Sequence, residues 1–424
     1  MTAVAEIKGW CPGARRPMPS GDGLIVRVRP HGGALSVSAL GELARAAQRF
    51  GNGQIDLTRR ANLQIRGVSD QTLVPLWDLM AALDLLDASA ELEAIRNIVV
   101  NPLAGLDPAE ILDMRPVAAA LETRLASDQA LQALPAKFGF ALDGGGRLPL
   151  ADLAADVRLV AQVRDGDCRV AIGLSGSDDV RWLGTTSVAD AASVAIQLTR
   201  VVLKLGPTRR SATLLAPAIA TIGAELGLDG AGAMTRSATP QRRCGVIALT
   251  DQTCAVGLGA PFGRLDSDAL TRLADVLATH GVSEVRLSPW RTLYVPAGPE
   301  IAAQIVADAA RLGLIVDDAD PLMRIDACSG AGCCPSTGLA TRQHARVLAD
   351  AMRRTQFKGT LHVSGCAKGC ARSAPADIVL IGEGERYHLV RDGTVRTEAC
   401  GTVDAAGLDA DGDGLFEAGE RAHV

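Results

Sequence analysis

The sequence predicts an α+β protein whose centre is built from an internal repeat. A segment that starts at Gly33 aligns without a gap with one that starts at Gly263, at a constant separation of 230 residues. The matched apolar pairs include Leu35 with Leu265, Leu40 with Leu270, Leu43 with Leu273, Ile55 with Val285 and Leu63 with Leu293. Two segments so far apart cannot form a solenoid, so we expect them to be the halves of one pseudo-twofold domain.

Each copy of the repeat predicts the same short order of elements. An upstream strand comes first, a helix with apolar residues at helical spacing follows, and two strands complete the unit. The predicted strands are 24–30 and 254–261, and the predicted helices are 38–50 and 268–280. Gly51 and Gly281 follow the helices and are their expected stops. This order is typical of ferredoxin-like units.

The remaining segments predict two α/β insertions, one after each repeat. The predicted organisation is a first ferredoxin-like half at 1–85, an α/β domain at 86–240, a second ferredoxin-like half at 241–312, a cysteine-containing α/β domain at 313–400 and an acidic tail at 401–424. A length of 424 residues accommodates this number of domains.

Composition excludes several classes of function. A net charge of −5 offers no global basic surface for nucleic acid. No apolar run is long enough to span a bilayer, and the N-terminus lacks the apolar core of a signal peptide, so we expect a cytoplasmic protein without a membrane partner. Ten cysteines in such a protein favour metal or redox use over disulfides.

Five of the cysteines lie in two short Gly- and Ser-rich segments. Cys328, Cys333 and Cys334 belong to the first, and Cys366 and Cys370 belong to the second. Four thiolates from two loops can hold a cubane iron–sulfur cluster, and nearby backbone N–H groups can tune its potential. A structural zinc site is the weaker alternative, because the spacings are five and three residues and not the two residues common in zinc knuckles.

The motif GCAKGCAR, together with Cys-x₅-Cys upstream, resembles the siroheme-containing sulfite and nitrite reductases. The resemblance covers most of the chain and implies a sulfite/nitrite reductase-like fold. It also implies a 4Fe–4S cluster ligated by Cys328, Cys334, Cys366 and Cys370. Ligation through Cys333, with a Cys-x₄-Cys spacing, stays open as an alternative to Cys334.

Two further motifs of this family bind a tetrapyrrole. LIVRVRPHGG and LTRRANLQIRGV are similar to them, and the resemblance implies five tetrapyrrole-binding residues: Arg27, Arg60, Asn62, Gln64 and Arg66. A macrocycle with many carboxylates, enclosed by an acidic protein, needs guanidinium groups for bidentate contacts. For each arginine taken alone, a solvated charge at a strand edge is the simpler interpretation.

One motif departs from the reductases. Where they carry an Arg and two Lys residues above the haem, this chain reads LPAKFGF, with Ala136, Lys137 and Gly139. The reduction of a small oxyanion would lose much electrostatic stabilisation there. The resemblance leaves Lys137, with Arg96 of the segment RNIVVNPL, as candidate catalytic residues.

The N-terminal segment CPGARRPMPSGDGLIVRVRPHGG resembles the precorrin-3B synthases, relatives of these reductases. That resemblance implies that the tetrapyrrole, precorrin-3A, is a substrate, which is hydroxylated with O₂ and closed to a γ-lactone. It also implies electron relay through the cluster and a mononuclear non-haem iron, whose ligands the sequence does not locate. His31 and His362 lie beside cavity motifs, but ordinary hydrogen-bonded histidines are the simpler interpretation.

Two alternatives accompany this interpretation. The first is a sulfite or nitrite reductase with siroheme as cofactor, and the second is an electron carrier, which would need neither this length nor these arginines. No Gly-rich dinucleotide fingerprint follows a predicted strand. Electrons are therefore expected from an external donor, an NADH-linked flavoprotein or a ferredoxin.

Residues 409–420, DADGDGLFEAGE, satisfy the pattern of an EF-hand calcium loop. Only four residues follow Glu420, and the preceding TVDAAGL shows no convincing helix. An acidic disordered tail is the preferred interpretation, with weak calcium binding as the alternative.

Overall fold

The computed structural model describes residues 11–175, 180–204, 216–230, 243–410 and 412–417. Within these ranges the chain forms four five-stranded sheets. Two sheets belong to the two copies of the repeat, and the other two belong to the two α/β segments.

The first copy of the repeat contains five strands and two helices. They are β1 (Met18–Ser20), β2 (Gly23–Val28), β3 (Ala34–Ser36), α1 (Val37–Phe50), β4 (Gln54–Leu57), β5 (Leu63–Val68) and α2 (Asp70–Ala82). Helix α1 begins where the Ser36 hydroxyl accepts a hydrogen bond from the Ala39 N–H, which satisfies a donor left free at the helix start. Leu40, Leu43 and Ala47 lie buried along one face of this helix.

The first α/β segment follows and forms a mixed sheet. Its elements are α3 (Ala90–Ile95), β6 (Ile98–Val100), α4 (Arg115–Ser127), β7 (Phe140–Asp143), β8 (Val157–Arg164), β9 (Asp167–Ser175), β10 (Val180–Ser187), α5 (Ala191–Lys204) and α6 (Ala216–Glu225). Strands β6, β7 and β8 are parallel, whereas β8, β9 and β10 are antiparallel. Phe140 and Leu142 pack into the local core, while Val99 and Ala141 join the core of the repeat domain.

The second copy of the repeat has the same order of elements as the first. They are β11 (Gly245–Ala248), β12 (Cys254–Gly259), β13 (Arg264–Asp266), α7 (Ser267–Thr279), β14 (Glu284–Leu287), β15 (Thr292–Ala297) and α8 (Pro299–Arg311). Asp266 caps α7 at the position equivalent to Ser36, accepting from the N–H groups of Asp268 and Ala269. Gly281 follows α7 with φ of 72°, the left-handed conformation that ends many helices.

The two copies exchange one short strand each. Strand β3 pairs with β14, so that Leu35 faces Val285, and β13 pairs with β4, so that Leu265 faces Ile55. The two contacts are related by the same separation of 230 residues. Helices α1 and α7 pack against each other, and one hydrophobic core spans both copies. The predicted pseudo-twofold α+β fold is thereby confirmed.

The second α/β segment repeats the strand order of the first. Its elements are β16 (Ile325–Ala327), α9 (Thr341–Arg354), β17 (Leu361–Ser364), β18 (Ala376–Glu383), β19 (Arg386–Gly393), β20 (Gly401–Asp404), α10 (Ala405–Ala410) and α11 (Gly414–Glu417). Strands β16, β17 and β18 are parallel, and β18, β19 and β20 are antiparallel.

The start of the predicted acidic tail belongs to this sheet. Strand β20 pairs with β19 through backbone hydrogen bonds, which composition alone does not reveal. Asp413, in the EF-hand pattern, forms an ion pair with Arg354 at 2.6 Å, and Leu415 and Phe416 are buried. Residues 411 and 418–424, which include two further positions of that pattern, lie outside the described residues.

Candidate functional site

A cavity of about 690 Å³ lies where the two copies of the repeat meet the second α/β segment. It is lined by the turn after β4, the turn after β14, strand β16 and the segment that follows Cys370. The charged residues among its lining are Arg59, Arg60, Asp152, Arg243, Arg291, Asp326 and Arg372. Five arginines against two aspartates leave the wall with an excess of positive charge.

The two turns that reach the cavity are equivalent in the repeat. In the first, Asn62 donates its backbone N–H to the Thr58 hydroxyl, and in the second Thr292 donates to the Ser288 hydroxyl. Ala61 and Arg291, which are 230 residues apart, have φ of 53° and 61°. A left-handed conformation is uncommon for residues other than glycine, and both turns adopt it at the same position of the repeat.

Asp326 of β16 brings three of the arginines together. Its carboxylate accepts from Arg59 Nη2 at 2.5 Å, from Arg291 Nη1 at 2.9 Å and from Arg372 Nη1 at 3.1 Å. Burial alone would raise the pKa of Asp326, but the three guanidinium groups hold it below its ordinary value. One carboxylate therefore organises guanidinium groups from three separate segments and neutralises only part of their charge.

His362 lies behind this group. It is the register partner of Asp326 across the parallel pair β16–β17, so both side chains emerge on the same face of the sheet. The imidazole is buried, and in the described part of the chain neither ring nitrogen has a hydrogen-bond partner. Burial lowers the pKa of His362 to about 4, so the ring is neutral near pH 7.

The two cysteine loops follow adjacent parallel strands. Cys328 comes directly after β16, and Cys366 and Cys370 come after β17. The backbone N–H of Gly365 donates to Cys328 Sγ at 3.2 Å. Cys370 is exposed, but partial desolvation raises the pKa of its thiol, and the neighbouring thiols of Cys366, Cys328 and Cys334 raise it further. The four thiols are thus close enough to interact electrostatically.

Cys333 has a different environment. Its Sγ accepts a hydrogen bond from Arg264 Nη1 at 3.4 Å, and Arg264 also holds Asp56 through Nε and Nη2 at 2.7 Å and 2.9 Å. The Cys333 carbonyl accepts from the Ser20 hydroxyl. Cys333 therefore contacts the repeat domain, whereas Cys334 is among the thiols that interact with Cys370.

The arrangement fits a cluster better than a single ion. In the described ranges, no three His, Cys, Asp or Glu side chains converge at distances suited to one metal ion. A zinc ion needs four donors around one point, whereas a cubane cluster distributes four thiolates over four irons. The predicted zinc alternative is therefore less compatible with these loops.

The predicted tetrapyrrole-binding residues fall into two groups. Arg60 and Asn62 line a small cleft at the edge of the repeat domain, and Arg60 Nη2 also donates to the Lys137 carbonyl at 3.1 Å. Arg27 is buried and donates to the Gln64 side-chain oxygen at 2.8 Å and 3.2 Å, once the amide is oriented to accept. Arg27 and Gln64 are paired residues of strands β2 and β5, whereas Arg60 and Asn62 lie in the turn between β4 and β5.

Arg66 and Arg96 form ion pairs inside the protein, and Arg96 also lines the small cleft beside Arg60 and Asn62. Arg66 donates to both oxygens of Asp22, at 2.7 Å and 2.8 Å, and to Asp56 at 3.3 Å. Arg96 donates to both oxygens of Asp87 at 2.8 Å. Such bidentate pairs use the guanidinium edges that a substrate carboxylate would need.

Lys137, the other candidate catalytic residue, is exposed, and its side chain does not line either cavity described above. Sequence reasoning also missed Asp326 of the large cavity and the three arginines that donate to it, Arg59, Arg291 and Arg372. The repeat offers one signal that could have found Arg291, because it follows the partner of Arg60 in the second turn.

The residues of the described chain do not fit a mononuclear iron site. A facial triad requires two histidines and a carboxylate with open positions. His31 Nδ1 is paired with Glu122 Oε2 at 2.7 Å, and the carboxylate beside His362 already holds three guanidinium groups. The excess of cations at Asp326 opposes binding of a further cation.

Comparison with known proteins identifies the family of the chain. Residues 16–83 match the nitrite/sulfite reductase ferredoxin-like half domain, and residues 91–286 match the nitrite and sulphite reductase 4Fe-4S domain. A precorrin-3B synthase of Sinorhizobium sp is 33% identical over 96% of this chain and 88% of its own length. The chain belongs to the precorrin-3B synthase branch of the nitrite and sulfite reductase family. It is accordingly an oxidoreductase.

More distant members share the scaffold. A ferredoxin–nitrite reductase of Synechococcus elongatus is 27% identical over 87% of this chain and 77% of its own length. The solved structure of the NirA protein of Mycobacterium tuberculosis superposes with a TM-score of 0.75 at 22% identity, covering 92% of this chain and 79% of that one. The last comparison confirms the reductase-like fold.

The family match supports an iron–sulfur cluster as cofactor. The matched range 91–286 covers the first α/β segment, although the clustered cysteines lie in the second. No helix in the described part of the chain is long and apolar enough to cross a membrane.

Proposed function

We propose that the chain is a precorrin-3B synthase, which hydroxylates precorrin-3A with O₂ and forms the γ-lactone. The observation that carries this proposal is the arginine-lined cavity beside the four cysteine thiols. One oxygen atom of O₂ enters the substrate and the other leaves as water, so the reaction consumes an electron pair. We place this reaction in the cytoplasm, with a separate flavoprotein or ferredoxin as electron donor.

The roles of the chain's own residues follow from their contacts. Arg59, Arg291 and Arg372 carry charge beyond what Asp326 neutralises, and they would bind carboxylates of the macrocycle. Arg60 and Asn62 would hold its edge at the first repeat. The neutral ring of His362 has free nitrogens close to this wall and can exchange a proton without adding charge in its resting state.

Four cysteines would hold the cluster: Cys328, Cys334, Cys366 and Cys370. A 4Fe–4S cluster held by these thiolates would supply electrons one at a time to the adjoining cavity. The Gly365 N–H that contacts Cys328 Sγ would stabilise negative charge on that ligand. We assign no step to a mononuclear iron, because the described residues do not form its site.

A siroheme-dependent sulfite or nitrite reductase is the alternative. It is less well supported, because Ala136 and Gly139 stand where a reductase carries cations. The reductase relative quoted above is also less similar, at 27% identity against 33% for the synthase.

The two functions predict different absorption spectra for the purified protein. The protein, purified without oxygen, should show the broad absorption of an iron–sulfur cluster and no Soret band. After precorrin-3A, O₂ and a reductant are added, mass spectrometry should find a product that contains one more oxygen atom. A stoichiometric Soret band in the purified protein would instead establish the reductase.

A further inference from the structure

The segment from Cys370 to Ala374 connects the two parts of the site. Cys370 lies in the loop after β17, beside the loop of Cys328 after the paired strand β16, and residues Arg372 to Ala374 line the cavity. The backbone N–H of Arg372 donates to the Gly369 carbonyl at 3.3 Å, which closes a turn around Cys370. Gly369 has φ of 61°, and a Cβ there would lie 2.6 Å from Val395. The turn is thus fixed tightly in place.

The Arg372 side chain is bound both to its own loop and to the cavity wall. Its Nε donates to the Pro375 carbonyl at 2.9 Å, its Nη2 donates to the same carbonyl at 2.6 Å, and its Nη1 donates to Asp326 at 3.1 Å. The side chain is 21% exposed. The positive charge is therefore held in a defined position, shielded from solvent, two residues from the proposed cluster ligand Cys370.

We propose that Arg372 is a positioning residue that couples occupation of the cavity by a polycarboxylate to the reduction potential of the cluster. The inference rests on the proposed function, because it needs a cluster at Cys370 and an anionic macrocycle in the cavity. Arg372 shares Asp326 with Arg59 and Arg291, so the group retains positive charge that a ligand carboxylate can neutralise.

The expected direction follows from charge. Reduction adds one negative charge to the cluster, and a nearby guanidinium stabilises the reduced form. A carboxylate bound to Arg372 cancels this stabilisation and lowers the midpoint potential. Substrate binding would then make the reduced cluster a stronger electron donor towards the cavity.

The test is a redox titration of the anaerobically purified protein, followed by EPR, with and without uroporphyrin III as polycarboxylate probe. Saturating probe should lower the midpoint potential of the unaltered protein. Arg372→Gln should start from a lower potential and change little when the probe is added. Arg372→Lys, which keeps the charge, should restore most of the starting potential.

Arg59→Gln is the matched control. Arg59 contacts the same Asp326 carboxylate, but its side chain is 51% exposed, so solvent screens its charge. This variant should bind the probe more weakly, start near the unaltered potential and still respond at saturation. An Arg372→Gln response equal to that of the unaltered protein, or equal starting shifts in both variants, would overturn the inference.

Failure of this inference is distinguishable from failure of the proposed function. A protein without iron and labile sulfide, or one that does not bind the probe, would overturn both. An intact cluster and a bound probe with an unchanged potential would overturn the coupling alone.

Discussion

The two α/β segments place equivalent residues at equivalent strand ends and use them differently. Asn101 directly follows β6, and Cys328 directly follows β16. In the first segment the Gly144 N–H donates to Asn101 Oδ1 at 2.5 Å, and in the second the Gly365 N–H donates to Cys328 Sγ at 3.2 Å. The same backbone contact therefore serves an amide oxygen in one segment and a thiol sulfur in the other.

The two segments also differ in the strand residues that precede these loops: one segment has an apolar pair where the other has a polar pair. Val99 faces Ala141 across β6 and β7, whereas Asp326 faces His362 across β16 and β17. The apolar pair packs into the core of the repeat domain, whereas Asp326 of the polar pair lines the arginine-lined cavity and His362 is buried beside it. An apolar contact has been replaced by a group that can bind ions and exchange protons.

This difference shows how one scaffold supports both structure and chemistry. In the first segment Asn101 also donates to Asp143 and to the Leu148 carbonyl, which closes the loops on each other. In the second the thiols have no comparable network of side-chain hydrogen bonds between the loops in the described residues.

The largest expected effect is the loss of the cluster when Cys328 of the second segment is replaced by asparagine, the residue at the equivalent position of the first segment. Cys328→Asn should preserve the strand-end hydrogen bond from Gly365 and abolish cluster binding, because an amide cannot replace a thiolate ligand. Loss of the visible cluster spectrum with an unchanged far-ultraviolet circular dichroism spectrum would be the expected result. Cys254→Ser, a cysteine of the repeat domain, serves as the control and should retain the cluster. Full iron and sulfide content in Cys328→Asn would refute the equivalence.

A second prediction concerns the large cavity beside Asp326; at the equivalent position of the first segment, Val99 lines only the small cleft. Arg291→Ala should weaken uroporphyrin III binding roughly 10-fold to 100-fold, because a charge-assisted hydrogen bond contributes about 1.5–3 kcal/mol. Fluorescence titration would measure this effect. Arg311→Ala removes the same charge at an exposed site of α8 and should change the affinity little. Equal affinities for the two variants would show that the macrocycle does not use this wall.

A substitution at the equivalent strand end of the first segment should lower the stability of the protein and leave its cluster content unchanged. Asn101→Ala leaves the buried Gly144 N–H without its partner and removes one of two donors to Asp143 Oδ1, the other being the Gly145 N–H. The expected cost is about 2–3 kcal/mol in the free energy of unfolding. Urea denaturation would measure it. Asn52→Ala, at an exposed site, should cost less than about 0.5 kcal/mol. A stable Asn101→Ala protein would mean that this network does not close the loops.

The smallest expected effect is a change in how strongly the free energy of unfolding depends on pH when His362 is replaced. The pKa of His362 in the folded protein, about 4, lies below its ordinary value of 6.5, so the unfolded chain binds more protons between these pH values. Acidification from pH 6.5 towards 4 therefore removes stability that His362 contributes at higher pH. His362→Ala introduces the residue found at the equivalent position of the first segment, Ala141. In urea unfolding experiments between pH 6.5 and 4, this variant should lose less stability than the unaltered protein. A steeper loss in the variant would contradict the burial of a neutral ring.

The sequence was sufficient to predict the central fold, because the repeat preserves apolar positions at a constant separation. It did not reveal the exchange of β3 and β13, since strands of three residues carry no measurable alternation. The equivalence of the two α/β segments was also hidden. Their loops differ in length, so no constant separation relates β6, β7 and β8 to β16, β17 and β18.

The site was predictable only where a motif is local. The cysteine loops follow from their spacing, but Arg59, Arg291 and Arg372 come from three distant segments that meet only at Asp326. The structure gives Arg66 internal carboxylate partners, which are also distant in sequence. Tertiary contacts of this kind leave no periodic signal, and a motif cannot separate a structural arginine from a binding one.

The most direct test of the account compares the iron and labile sulfide content of Cys333→Ser and Cys334→Ser. We predict a complete 4Fe–4S cluster in Cys333→Ser, because that thiol contacts Arg264 of the repeat domain, and a lost or incomplete cluster in Cys334→Ser. A complete cluster in Cys334→Ser together with its loss from Cys333→Ser would contradict the assignment of the four ligands.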